Sequence, residues 1–104
     1  MYRYTTPTLP VRITGFDYSD VDVFRIKLKQ EKSNVSILKE VEADDSHVDA
    51  ENNKVYVPLT QEETASFKKG NVSIQARIKF NNGAVEATNE ISLTVKQVLD
   101  EVII

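Results

Sequence analysis

The chain contains no cysteine and no tryptophan, and only three glycines, three prolines and one histidine. Each scarcity removes a class of protein. Without cysteine there is no disulfide, no thiolate metal site and no cysteine nucleophile, so the fold must rest on packing alone. Three glycines leave no glycine-rich phosphate loop, and no nucleophile-elbow pattern occurs. One histidine, His47, gives neither a histidine metal cluster nor a ready partner for a serine triad. No apolar run approaches the roughly 20 residues of a membrane-crossing helix. Met1 to Pro10 is polar and lacks the apolar middle of a secretion signal. The net charge of −3 argues against a nucleic-acid partner, which would favour a basic face overall. No membrane partner and no cofactor are expected.

What the chain does have is alternation. Val72, Ile74, Ala76, Ile78 and Phe80 are interleaved with Ser73, Gln75, Arg77 and Lys79. That period of two belongs to a strand with one face inward and one in water. Asn81-Asn82-Gly83 supplies the turn chemistry, and alternation resumes at Val85 and Ala87, then at Ile91, Leu93 and Val95. Residues 71–95 therefore read as one long antiparallel hairpin, with a bulge near Thr88-Asn89 where the pattern slips.

Shorter stretches obey the same rule. Leu9, Val11 and Ile13 alternate, as do Phe24, Ile26 and Leu28. Val35 and Ile37 start another strand running to Val41, and Val55, Val57 and Leu59 form a fourth. Pro58 has no N–H to give a ladder, which places its strand at a sheet edge or ends it there. Turn-like breaks fall at 15–20, 31–34 and 49–54. About seven short strands without a long helix predict a single all-β domain over 1–104, an immunoglobulin-like antiparallel β-sandwich. Thr60 followed three residues later by Glu63 is a capping box, predicting a short helical turn near 60–67 with Phe67 and Ala65 plugging one end of the sandwich.

Three charged groups invite a functional reading. Glu40 to Glu51 carries six carboxylates and no lysine or arginine, and Asp17, Asp20 and Asp22 form a second acidic group. Neither has the spacing of a calcium loop, so solvated turns are expected and no metal ligand is assigned. Arg25, Lys27, Lys29 and Lys32 make a basic stripe that Arg77 and Lys79 extend if the two strands share a sheet. Asn34-Val35-Ser36 and Asn71-Val72-Ser73 match the glycosylation pattern, but their valines read as strand residues.

The order of pieces also carries a resemblance. An acidic stretch leads to Asn52-Asn53-Lys54, the strand Val55 to Leu59 and the phrase Leu59-Thr60-Gln61-Glu62-Glu63-Thr64. Phe67, Gly70, the strand Val72 to Arg77, the turn Asn82-Gly83 and Ala87-Thr88 follow. This resembles small structural proteins of phages and prophages of Gram-positive bacteria, and is similar to the immunoglobulin-like N-terminal domain of phage baseplate upper proteins. The likeness spans roughly residues 20–95. It implies a non-enzymatic virion structural or assembly module, tail or baseplate associated, with other virion proteins or further copies of itself as partners. It implies a location in the virion, or in the host cytoplasm during assembly. It brings no catalytic residues. The alternative class is a carbohydrate- or surface-binding sandwich, for which Tyr2, Tyr4, Tyr18 and Tyr56 are the candidate aromatics.

The last residues are apolar at helical spacing. Val98, Leu99, Val102 and Ile103 share one face against Lys96, Gln97, Asp100 and Glu101. A short helix or docking tail over 96–104 is expected, with those four residues as an association surface.

Overall fold

A computed structural model describes all residues, 1–104. The strands are β1 (Thr8–Arg12), β2 (Val21–Gln30), β3 (Val35–Glu42), β4 (Val48–Asp49), β5 (Lys54–Pro58), β6 (Gly70–Phe80), β7 (Val85–Ala87) and β8 (Ile91–Val95), with one helix, α1 (Gln61–Ser66), between β5 and β6. They form two antiparallel sheets packed as a sandwich. One runs β1-β5-β4; the other runs β3-β2-β6, with β7 and β8 following each other along the far side of β6.

The alternating positions meet between the layers. Phe24, Ile26 and Leu28 from β2, Val72, Ile74, Ala76 and Ile78 from β6, and Val55 and Val57 from β5 are all buried. The polar neighbours of the β2 and β6 residues lie on the solvent face of the five-stranded sheet. Phe16, Tyr18, Phe24 and Phe80 gather at one end, with ring centroids 4.8 Å apart for Phe16–Tyr18 and 5.8 Å for Phe16–Phe80. The Tyr18 hydroxyl, largely buried, donates to the Ile13 carbonyl, which ties the turn before β2 back to the chain following β1.

The expected hairpin at 71–95 forms, and the slip near Thr88 is a bulge. Arg77 pairs with Ala87, but Ile74 pairs with Ile91, so one extra residue lies between them on the second strand. A one-residue shift exchanges the faces. Ile91, Leu93 and Val95 share the inner face with Ile74 and Val72, whereas Val85 and Ala87 stand opposite Lys79 and Arg77 on the solvent face. Glu86, opposite Ile78, takes the inward position at the sheet edge. An inward charge there discourages another strand from adding to β7 itself.

Both strand prolines sit where their missing donor costs nothing. Ile13 N–H donates to Asn53 and Leu59 N–H to the Pro7 carbonyl, so odd-numbered residues of β1 and β5 bond each other. Tyr56 N–H donates to His47, so even-numbered residues of β5 face β4. Pro10 thus faces the unpaired side of β1, and Pro58 faces the side of β5 beyond the end of the two-residue β4.

The capping box at α1 is present in full: Glu63 N–H donates to Thr60 Oγ1 at 3.2 Å and Thr60 N–H to Glu63 Oε1 at 2.9 Å. Phe67 ends the helix fully buried. Thr64, not Ala65, is the buried helix residue: its hydroxyl accepts from Thr5 N–H at 3.0 Å and donates to the Thr5 carbonyl at 2.8 Å. A second buried polar group, Gln30, holds the far end of the same crossover. Its amide donates to the Lys68 carbonyl and accepts from Lys68 N–H, both at 2.7 Å.

The C-terminal helix does not form. β8 runs to Val95, and Lys96 is held in an extended bridge to Tyr2, its N–H donating to Met1 at 2.6 Å and its carbonyl accepting from Arg3 N–H at 2.9 Å. Those bonds occupy the residue that would open the helix. The segment left over is too short to be helical without a surface to lie on. It runs on without regular structure, tied by Arg3 to Gln97 and Glu101 and by Gln61 to Ile104.

Candidate functional site

The solvent face of the five-stranded sheet collects the charged pattern into a site. β2 and β6 pair directly, so the two basic stripes join: Arg25 stands opposite Arg77, Lys27 opposite Gln75, Lys29 opposite Ser73 and Val23 opposite Lys79. On the other flank β3 places Glu40 beside Arg25 and Leu38 beside Lys27. A shallow trough of about 340 Å³ lies among Arg25, Lys27, Ser36, Leu38, Gln75 and Arg77. A second, of about 250 Å³, continues along Lys27, Lys29, Glu31, Ser73, Gln75 and Glu90.

The charge on this face is unevenly compensated. Arg25 Nε lies 3.4 Å from Glu40 Oε1, and Lys29 Nζ 3.5 Å from Glu31 Oε1. The Arg25 contact is coulombic only, because Nε is shielded from solvent yet has no hydrogen-bond partner. Lys27, Arg77 and Lys79 have no ion pair. Like charges directly opposite on a sheet are destabilising. The face therefore keeps unpaired cations, Lys27, Arg77 and Lys79, at its centre, bordered by Glu40 and Glu42 on β3, with half-exposed Leu38 and Val85 at its flanks.

The acidic group opposite in sign lies at one end of the sandwich. The β2–β3 register puts Val23 opposite Glu42, which brings Asp20 and Asp22 near the loop that carries Asp44 and Asp45. That loop is organised around its own carboxylates. Asp44 Oδ1 accepts from Ser46 N–H at 3.0 Å and His47 N–H at 3.1 Å, and lies 2.7 Å from His47 Nδ1. The His47 hydrogen bond holds the Asp44 carboxyl below its ordinary value. Asp49 accepts from the Asn52 backbone and side chain, and Asp17 from the Ser19 backbone and hydroxyl. These are turn-forming aspartates: Asp44 and Asp17 use Oδ1 and Asp49 uses both oxygens to hold their own turns. No group of three or more histidines or carboxylates is arranged to hold a metal ion.

The expected association residues come together only in part. Leu99, Val102 and Ile103 are exposed and Val98 is half-buried, along an irregular segment that bends at Leu99 rather than on a helix face. Ile104 is exposed at its end. The tyrosines do not converge: Tyr18 is in the core, Lys96 lies 5.5 Å from the ring centre of Tyr2, and Arg3 lies 5.1 Å from that of Tyr4.

Sequence reasoning missed Arg3. Its guanidinium donates to the Ala65 carbonyl at 2.9 Å and to Gln97 and Glu101 at 3.3 Å, joining the N-terminal arm, α1 and the tail. Nothing local marks a lone arginine in a polar leader as a clamp. No helix is long and apolar enough to cross a membrane. Comparison of the chain with protein-family models, curated proteins and solved structures finds no match.

Proposed function

We propose that this chain is a non-enzymatic assembly module of a phage or prophage virion, tail or baseplate associated, which docks on an acidic surface of a neighbouring virion protein through the solvent face of its five-stranded sheet. The observation that carries the docking is the Arg25–Arg77 cross-strand pair, flanked by Lys27 and Lys79. Facing cations raise the free energy of the isolated domain, and a partner carboxylate set between them relieves it. The half-exposed Leu38 and Val85 supply apolar contact at the rim. The virion assignment rests on the ordered string from Asn52 to Thr88 and on its likeness to phage structural proteins.

Two measurements test the reading. Mass spectrometry of purified particles from the phage or lysogen that encodes the chain should find it in stoichiometric amount; its absence from particles overturns the virion assignment. The double variant Lys27→Glu/Arg77→Glu should fold and melt like the parent, since both side chains are on the wet face. It should lose incorporation into particles. Normal incorporation of that variant overturns the docking face.

A further inference from the structure

The three-stranded sheet has an unpaired flank that the rest of the fold would normally cover. In the immunoglobulin arrangement one sheet has four strands in the order ABED, and the other carries C and its neighbours with F and G. Here β2, β6 and the β7–β8 strand take the C, F and G places, with β3 outside β2. β1, β5 and β4 take the B, E and D places, and no strand lies beside β1 where A would be. Met1–Arg3 instead runs parallel to the end of β8.

The uncovered flank opens into a cleft of about 350 Å³ between the two sheets, lined by the aliphatic Val11, Ile13, Ile74 and Ile91 and by the charged Arg12 and Glu86. Ile91 is 46% exposed although it belongs to the inner face. The backbone along the opening is free as well. Since Ile13 bonds inward to Asn53, the N–H and C=O groups of Arg12 and Thr14 point away from β5 into the opening. Pro10 ends this edge on one side by removing a donor.

The same chain carries an unpartnered apolar strip. Leu99 is 107% exposed, Ile104 92% and Val102 59%. In an extended conformation Val102 and Ile104 fall on one face and Glu101 and Ile103 on the other. We infer that the C-terminal segment of a second copy, residues 97–104, adds as a strand beside β1, seating Val102 and Ile104 in the cleft. This deepens the assembly reading above, since it names how copies join. Strand addition of this kind gains affinity from the backbone ladder and specificity from alternate side chains in pockets.

Charge agrees with that register. Arg12 sits on the outer face of β1 with no ion pair, next to the path on which Glu101 would run. A second copy fits better than the chain's own tail. The tail leaves β8 at Lys96, beside Gly70, and lies over α1, where Ile104 bonds Gln61. Its own cleft opens further along β6, beside Ile74 and Ile78. Filling it in cis needs the chain to reverse just after Lys96 and run back along β6. A neighbour's tail needs only the exposed Arg3 and Gln61 contacts to let go.

The absence of native cysteine makes cross-linking decisive. Thr14→Cys and Ile103→Cys are made separately in the full chain, mixed and oxidised with diamide. A covalent species of twice the chain mass, far stronger in the mixture than in either variant alone, is the expected result. The double variant Thr14→Cys/Ile103→Cys should likewise give linked multimers. If it gives only an internally linked monomer, the tail fills its own cleft and the inference is overturned. Absence of any Thr14–Ile103 link, with the parent sedimenting as a monomer, overturns it too. A synthetic peptide of residues 97–104 gives a second reading: amide resonances of Arg12, Thr14 and Ile91 should shift on titration, and shifts confined elsewhere count against the cleft. Either failure leaves the Lys27/Arg77 docking face standing, because that face is read by particle incorporation.

Discussion

Lys39 Nζ lies 2.8 Å from Glu63 Oε1, joining the inner side of the edge strand β3 to the first turn of α1. Lys39 stands opposite Ile26, a core position, so its stem crosses the open end of the sandwich to reach the carboxylate. The same Oε1 accepts the Thr60 N–H of the capping box. One oxygen therefore fixes both the start of the helix and its distance from the sheet.

That double use has a pH signature. Burial pushes the Glu63 carboxyl up, but the Lys39 and Thr60 hydrogen bonds outweigh it and hold the group below its ordinary value. A carboxyl depressed on folding contributes stability that is complete above its unfolded value and is lost as pH falls through the folded one. Urea melts across the acidic range should therefore weaken as Glu63 protonates. Glu63→Gln keeps a capping side chain but has no charge to lose, so its acid limb should be flatter than the parent's. Identical acid limbs for the two proteins would show that the pair does not contribute.

The register of β6 and β7 assigns opposite fates to two aliphatic residues of one hairpin. Ile74 is 4% exposed and Val85 50%. Ile74→Ala should cost about 2–5 kcal/mol, the usual loss for a buried large aliphatic side chain. Val85→Ala should stay within about 0.5 kcal/mol, as surface changes do. Denaturant melts of both variants check the register, and equal losses would contradict it.

Gln30 is buried yet polar, and its amide stands in for a missing strand partner at Lys68. Gln30→Leu fills similar space but leaves the Lys68 N–H and C=O without partners. Each orphaned buried group costs about 1–3 kcal/mol. The loss should be larger than for Gln75→Leu on the wet face, and comparable losses would mean that Lys68 finds water instead.

Pro10 guards the open side of β1. Pro10→Ala restores an N–H that points away from β5, into solvent. The expected result is little change in melting but more association at high concentration, read by light scattering. An unchanged scattering curve would remove the guarding role.

Thermal melts in calcium and in chelator should superimpose. Asp44, Asp49 and Asp17 already accept hydrogen bonds from their own turns. A reproducible upward shift with calcium would reassign the loop from Asp44 to Glu51.

Local pattern by itself determined the longer strands, their inward residues and the capped turn at Thr60, because alternation and capping act over two to four residues, but it read the two-residue β4 as part of an acidic turn. It also marked the slip at Thr88, but not its consequence. Which face Val85 and Glu86 take depends on how many residues separate two pairings with β6, and that is a property of both strands together. The union of the Arg25 and Arg77 stripes likewise waited on β2 and β6 becoming neighbours across some fifty residues of chain. The tail shows the limit most clearly. Val98, Leu99, Val102 and Ile103 have helical spacing, yet the long-range bridge from Lys96 to Tyr2 holds Lys96 extended, and the residues beyond it take no regular structure. Helix formation in so short a segment is marginal, so a few tertiary hydrogen bonds decide its conformation against the pattern.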